Sequence, residues 1–458
     1  MNKKKSLSIF VLAMMNVAVI MSLRGLPMMA KEGTGMVFYL FFAAVVFLIP
    51  TALVSAELAT TWSDGGGVYR WVGEAFGHRW GFVAVWLQWI QNVIWYPTIL
   101  AFTGGALAYL FLAPELANSK LYTLLVVLIV FWGATILNFF GLKLSGIITT
   151  SGVVLGTIIP GIVIIIFGAI WWFSGYPIAF MAEPQSIIPD FSSFNNLAFL
   201  AGIVLLFAGM EVSSVHALEV KDPKKDYPKA ILIAVVIIIV IFTLSSFAIS
   251  AVLPAAKISL TVGFMQALQA MLAHFQLLWL LPLFGFVIAF GAIAGVIAWI
   301  IGPSKGLYAT AKDGYLPALL QYTNKKDVPV VILLIQAIIV TVLALLYLFM
   351  PDVNTAYFIL TALTAILYLI MYILLFAAAI RLRYSKPDVV RAYKVPGGNF
   401  GMWLVSGIGI LGAIFAIIVG LYPPAQLAIG NPLFYVGFII TGIIIFVLPP
   451  IIIFELKK

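Results

Sequence analysis

Twelve apolar runs of membrane-spanning length dominate this sequence of 458 residues. A helix that crosses the hydrocarbon core of a bilayer needs about 20 predominantly apolar residues. With 64% hydrophobic and 9% charged residues, the chain is not an ordinary water-soluble protein. We predict an all-α integral membrane protein, with twelve transmembrane helices in a single domain over residues 1–458. The predicted helices cover residues 7–30, 36–60, 81–111, 121–140, 144–173, 195–218, 229–253, 277–304, 328–350, 355–380, 403–421 and 431–454.

The first and sixth runs are interrupted near mid-depth. Glycine, proline, hydroxyl groups and charge are expected there only where a helix unwinds and its backbone faces a cavity. Breaks in corresponding halves of a chain are typical of secondary transporters, whose substrate site lies between them. The interruptions are Ser22, Leu23, Arg24, Gly25, Leu26 and Pro27 in helix 1, and Gly209, Met210, Glu211, Val212, Ser213 and Ser214 in helix 6.

The basic residues predict the orientation of these helices. If the amino terminus is cytoplasmic, most of the 25 lysines and arginines fall in inner segments. The outer segments then hold Lys31, Lys120 and Lys257. The positive-inside rule therefore predicts a multi-pass protein of the cell (inner) membrane with both termini cytoplasmic. Because the basic residues lie in short segments between apolar runs, the net charge of +9 does not indicate nucleic-acid binding.

The two breaks also predict an internal symmetry. Helices 1 to 5, at about residues 7–173, overlay on helices 6 to 10, at about residues 195–380, only if one set is inverted. This is a five-plus-five inverted repeat with discontinuous helices 1 and 6, which meet near the bilayer centre. Helices 11 and 12, at about residues 403–454, lie outside the repeat. Residues 257–275 are amphipathic and too polar to span, so we predict an outer lid helix there.

The residues at the breaks suit a zwitterionic amino acid. Gly209 can end the first half of helix 6 in a left-handed conformation, which leaves carbonyl groups for a substrate ammonium. Ser213 or Ser214 can cap the second half. Pro27 suits the first turn of the outer half of helix 1, where free amide groups attract a carboxylate.

Arg24 and Glu211 are the ionisable residues placed deepest in the membrane. A charged side chain at the bilayer centre costs roughly 2.5–3.5 kcal/mol on insertion scales, so each needs a partner or water. Two interpretations stay open: both face one substrate cavity, or they form a structural ion pair between the breaks. Glu211 is also a candidate for coupling transport to protons, because burial can raise the pKa of a carboxyl group.

Four stretches together resemble the amino acid, polyamine and organocation (APC) superfamily, and most closely its glutamate/GABA antiporter group. The resemblance implies a twelve-helix fold with inverted repeats and amino acid exchange by alternating access. The stretches are AELAT at 56–60 with GGVYRW at 66–71, Gly209 to Glu211 followed by Glu219 and KDPKKDYP at 221–228, GPSKGLYATAKDGYLP at 302–317, and YKVPG at 393–397.

The resemblance also implies that helix 3 and helix 8 contribute to the substrate site. The alternative for Gln91 and Asn92 is a hydrogen bond to another helix, and for Trp299 it is simple packing. The predicted substrate-binding residues are Ser22, Arg24, Gly25, Gln91, Asn92, Tyr96, Gly209, Met210, Glu211, Ser213, Ser214 and Trp299.

Two departures from the family leave the substrate and the driving force open. Arg24 lies where many amino acid permeases have a small glycine-serine-glycine break. Its guanidinium can pair with a side-chain carboxylate of the substrate, with the α-carboxylate, or with Glu211. Near Thr149, Thr150 and Ser151, where some relatives have a lysine, this chain has none. A proton, a sodium ion or pure exchange can therefore drive transport.

These observations favour secondary active transport of amino acids, with exchange as the expected mode. The alternatives are a proton- or sodium-coupled symporter and, in another class, a non-transporting membrane sensor or subunit. The intramembrane polar residues form no catalytic constellation, so we expect no enzyme activity. No motif indicates a cofactor or a metal site. The expected partners are amino acids and the lipid bilayer, and a coupling ion is a candidate partner.

Overall fold

The twelve predicted helices are present in the structure. The computed structural model describes residues 8–62, 66–140, 151–181, 186–213 and 221–456. Within these residues all regular secondary structure is helical. In the described ranges, eleven helical spans are long and apolar enough to cross a membrane, and the interrupted helix 1 is the twelfth.

Most helix bounds lie close to the prediction. Helix 8 continues to Lys312, beyond the predicted end at residue 304, because an α-helix can extend past the apolar core once its polar residues reach water. Helix 1 consists of Ile9–Ile20 and Leu26–Lys31. The others cover Gly33–Thr61, His78–Leu110, Lys120–Phe139, Ser151–Phe173, Phe194–Val212, Lys225–Val252, Leu278–Lys312, Val330–Phe349, Val353–Ser385, Gly398–Gly420 and Pro432–Leu456.

Two shorter helices lie in the connections. Val68–Phe76 joins helices 2 and 3, and Gly263–His274 joins helices 7 and 8. The second lies where the sequence predicts a lid helix, and it packs against Leu26–Lys31, the second segment of helix 1. A methyl group added to Gly263 would lie 2.8 Å from Pro27, so only glycine allows this approach.

Helix 3 forms the centre of the bundle, where it packs along helices 8 and 10. Small residues let neighbouring helices approach closely. A Cβ atom at Gly156 in helix 5 would lie 2.2 Å from the carbonyl oxygen of Val287 and 2.4 Å from Gly291 in helix 8. Inside a bilayer the hydrophobic effect does not drive helix association, so close backbone packing of this kind holds the helices together instead.

A buried ion-pair cluster joins helix 2 to the connection after helix 10. The Glu57 carboxylate accepts two hydrogen bonds of 2.6 Å from Arg383, and Arg391 lies 3.1 Å away. The backbone N–H of Val395 also donates to Glu57, at 2.7 Å. The AELAT and YKVPG stretches, more than 300 residues apart in the chain, therefore form one structural unit.

We expect Glu57→Ala to destabilise the protein strongly. Removing the carboxylate leaves the guanidinium groups of Arg383 and Arg391 buried without a counter-ion, which costs about 3–5 kcal/mol. Thermal unfolding of the purified protein in detergent measures the loss.

The matched control for Glu57→Ala is Glu455→Ala. It removes the pair between Arg79 and Glu455, whose side chains are 38% and 46% exposed, so we expect a change of at most about 1 kcal/mol. Equal unfolding temperatures for the two variants would contradict a stabilising role for the buried cluster.

Candidate functional site

Helix 1 is broken where the sequence predicts. Ile9–Ile20 ends at Met21, and both Met21 and Ser22 have extended backbone. A 3₁₀ turn at Leu23–Gly25 follows, and Pro27 lies in the first turn of the next segment. Proline starts a helix well because its φ is preset and its missing N–H would have no partner there. The α-helix is thus interrupted between Ile20 and Leu26.

Helix 6 is broken at the corresponding place. Phe199–Leu205 ends before Gly209, and the chain resumes at Met210–Ser213. Gly209 has a φ of +122°, which other residues rarely adopt. Its N–H donates to the hydroxyl of Tyr372 at 2.8 Å. The side chain of Ser213 and the whole of Ser214 lie outside the described residues, so their capping role stays a prediction.

The two breaks contact each other through Gly25. A Cβ atom at this position would lie 2.0 Å from the side chain of Leu206, in the break of helix 6. Any side chain here would separate the two breaks. Gly25 therefore serves the close packing of the two breaks, and its predicted contact with substrate stays a prediction.

A cavity of about 70 Å³ lies between the breaks, and we call it the central cavity. It brings together residues of helices 1, 3, 6, 8 and 10. Five predicted residues line it, namely Ser22, Arg24, Gln91, Asn92 and Trp299. The remaining lining residues are Ile20, Trp95, Leu205, Leu206, Ala208 and Tyr368.

Arg24 is buried in this cavity among neutral groups. Its side chain is 3% exposed, and Nη1 donates to Thr98 and Tyr357 at 3.1 Å and to Thr361 at 3.4 Å. The guanidinium carbon lies 5.9 Å from the ring centre of Trp95. Within the described residues, Nε has no hydrogen-bond partner. Among the described residues the charge has no acidic partner, so it is suited to a ligand anion.

Glu211 has a separate set of partners. Its carboxylate is buried and accepts hydrogen bonds from Gln88, at 3.1 Å, and from the hydroxyl groups of Tyr368 and Tyr372. The ion pair between Arg24 and Glu211 that the sequence leaves open is not formed, although both residues are described. The two ionisable groups lie on different sides of the site.

Helix 10 holds both breaks through one polar face. Tyr357 donates to the carbonyl oxygen of Arg24 at 3.1 Å, while Tyr372 binds Gly209 and Glu211. Tyr357 and Thr361, like Tyr368 and Tyr372, are four residues apart, which places each pair on one face of the helix. Sequence reasoning missed these residues and Gln88. The signal was present as hydroxyl residues at helical spacing in an otherwise apolar run.

Tyr96 does not line the central cavity. Its ring packs on Phe131 of helix 4, with the ring centres 4.9 Å apart. Trp95 lines the cavity with Gln91 and Asn92, whereas Tyr96, turned by about 100° from Trp95, faces helix 4. Gln91 and Asn92 both donate to the carbonyl oxygen of Gln88 at 3.1 Å, a contact within their own helix.

The sequence of this chain is similar to those of known proteins. A family described as amino acid permease matches residues 6–446. The chain belongs to this family, which lies within the APC superfamily.

Three relatives illustrate the range of names in the family. An uncharacterized transporter of Legionella pneumophila is 47% identical, over 98% of this chain and 96% of its own. A glutamate/gamma-aminobutyrate antiporter of Lactococcus lactis is 32% identical, over 100% of this chain and 91% of its own. A probable agmatine/putrescine antiporter of the same species is 26% identical, over 97% of this chain and 94% of its own.

One end of this family member opens toward the site through a vestibule of about 440 Å³. The vestibule extends from Gly67 and Lys305 to Gln88, Glu211 and Trp299. Gln88 and Glu211 line the vestibule, and Tyr368, which binds Glu211, lines the central cavity. This hydrogen-bonded layer therefore separates the two spaces, and Trp299 lies at the boundary of both.

The opposite end is closed by the connection that carries the lid helix. Lys31, at the end of helix 1, donates to the carbonyl oxygens of Ala255 and Ile258 at 2.9 and 3.1 Å. The side-chain oxygen of Asn354, near the start of helix 10, accepts from Ser259 and from the N–H of Leu260, both at 2.9 Å. In the part of the chain that the structure describes, the vestibule therefore lies at one end of the bundle and packed connections cover the other.

Proposed function

We propose that this protein is a secondary active transporter that exchanges amino acids across the membrane by alternating access. The observation that carries the proposal is the buried guanidinium of Arg24. It lies in the central cavity between two helix breaks, and its hydrogen-bond partners are neutral. A guanidinium binds a carboxylate with two parallel hydrogen bonds, which makes Arg24 the binding group for a substrate carboxylate.

The helix breaks complete a site for a zwitterion. The carbonyl end of Ile9–Ile20 is the negative end of a helix dipole and attracts the substrate ammonium. The amide groups that begin the second segment of helix 1 attract the carboxylate. Ser22 lies between these two ends and lines the cavity, so its hydroxyl can donate to the substrate. Gln91, Asn92 and Trp299 complete the proposed contacts.

The charge of Arg24 also favours exchange over net transport. When the cavity is empty, a change of state encloses a cation with neutral partners, and a buried uncompensated ion costs several kcal/mol. A bound carboxylate removes this cost. The return step is therefore faster with substrate than without, which is the behaviour of an exchanger. The antiporter names of the relatives support the same mode.

Arg24 also restricts the class of substrate. Glutamate and gamma-aminobutyrate, which name one group of relatives, both carry a carboxylate. Agmatine and putrescine, which name another relative, are cations without one. Like charges in a low-dielectric cavity repel strongly, so we propose that substrates of this chain carry a carboxylate.

We infer the orientation of the protein in the membrane from the charges around the vestibule. Basic residues such as Arg70 and Lys305 lie at its end of the bundle, so the positive-inside rule makes this end cytoplasmic, with both termini on the same side of the cell membrane. The structure then corresponds to an inward-open state. Glu211 closes the inner side of the cavity with Gln88 and Tyr368, and it stays the candidate for proton coupling.

Reconstituted protein distinguishes exchange from the alternatives. We expect labelled amino acid to enter proteoliposomes only when unlabelled amino acid is present inside, because the empty carrier returns slowly. Uptake into empty vesicles driven by a proton or sodium gradient would replace exchange with symport. Binding of amino acids without any flux would identify a sensor.

Removal of the guanidinium should abolish transport. For Arg24→Ala we expect exchange to fall at least ~10-fold, since a hydrogen bond to a charged group is worth about 1.5–3 kcal/mol. Arg24→Lys keeps the charge but loses the two parallel bonds, so we expect partial activity. The control Arg79→Ala removes an exposed cation and should leave exchange unchanged. Unaltered kinetics of Arg24→Ala would remove Arg24 from the site.

Single cysteines test the orientation cleanly because the chain has no cysteine of its own. We expect a membrane-impermeant maleimide to label Lys257→Cys on intact cells and to label Lys325→Cys only after permeabilisation. Both positions are exposed in the structure. The reverse pattern would invert the proposed topology.

A further inference from the structure

A second cavity adjoins the central one. It has a volume of about 80 Å³ and lies between helices 1, 3, 5 and 8. Ser22, Trp95 and Trp299 line both cavities, so the two spaces are neighbours with the indole rings between them, and the ring centres are 6.3 Å apart. We call this second space the side-chain lobe.

The described side chains that line this lobe carry no ionisable group. Leu23, Ile99, Phe102 and Ile288 provide apolar surface, and the hydroxyl groups of Ser22 and Thr157 add some polarity. A second carboxylate entering the lobe would therefore lose its hydration without meeting a cation. An apolar side chain gains from leaving water, by roughly fourfold in affinity for each buried methylene.

Helix 8 keeps the lobe open with glycine. Gly291, Gly295 and Trp299 succeed each other by four residues and therefore lie on one face of helix 8. Gly291 permits the contact with helix 5, since its Cβ would lie 2.6 Å from the Cα of Gly156. A Cβ atom at Gly295 would meet no heavy atom of the described residues within 4 Å. Gly295 borders the lobe. The absence of a side chain at this position therefore adds space to the lobe, and it is not needed for a contact between helices.

We propose that the side-chain lobe binds the uncharged, apolar side chain of an amino acid whose carboxylate lies on Arg24. This inference rests on the proposed function and narrows its substrate class. Arg24 belongs to the central cavity and the described lining of the lobe has no second cation, so one carboxylate per substrate is accommodated. The favoured substrates are medium-sized apolar amino acids such as leucine, ahead of glutamate.

Gly295→Val tests the lobe because its added methyl groups enter the open space without a helix clash. In exchange assays with proteoliposomes we expect the wild type to prefer leucine to glutamate. In Gly295→Val, leucine exchange should fall at least ~10-fold relative to alanine exchange, and Gly295→Ala should show a smaller shift. Alanine is small enough to leave the lobe empty, so its exchange also reports correct folding.

The matched control is Gly437→Val on helix 12. Gly437 also has no heavy atom within 4 Å of an added Cβ, and it is exposed on the bundle surface. We expect its leucine-to-alanine ratio to equal that of the wild type. Exchange of glutamate at or above the rate for leucine, or an unchanged ratio in Gly295→Val, would overturn the lobe assignment but leave the exchange function standing. Absence of exchange for every amino acid would instead overturn the proposed function, and the lobe assignment with it.

Discussion

A positive charge enclosed among neutral groups is the constraint on which the centre of this structure depends. Burial removes most of the hydration of the Arg24 guanidinium, a loss of several kcal/mol for an ion in a protein interior. Three hydroxyl groups and two aromatic faces compensate in part. In the proposed function the substrate carboxylate supplies the remainder, so that binding and charge compensation are the same event.

Helix 10 carries the polar groups that make this arrangement possible. At one end of its polar face Tyr357 and Thr361 hold Arg24, and further along Tyr368 and Tyr372 hold Glu211 and the N–H of Gly209. Beyond them Arg383 binds Glu57 of helix 2. Unwound backbone inside a membrane has no water to satisfy it, so a neighbouring helix has to provide the partners. Both breaks of the inverted repeat are stabilised in this way from one helix.

The prediction from sequence reached the fold and part of the site. Twelve helices, the breaks in helices 1 and 6, the position of Pro27 and the positive φ of Gly209 are confirmed. Each depends on local chemistry, which the sequence displays directly. Ser22, Arg24, Gln91, Asn92 and Trp299 are found around one cavity, and their contact with substrate stays a prediction. Tyr96 packs on helix 4 and Gly25 packs against helix 6. The sequence does not show which neighbouring helix each of these residues meets.

The sequence by itself determined which segments enter the membrane and where two of them come apart. Apolar length, proline, glycine and charge act through the transfer of a segment from water to lipid, a property of that segment alone. Only the tertiary structure decided the partners of the two buried charges: hydroxyl groups from helices 3 and 10 for Arg24, and Gln88 with two tyrosines for Glu211. Pairing of buried charges depends on distances between distant segments, and those distances exist only after the helices have packed.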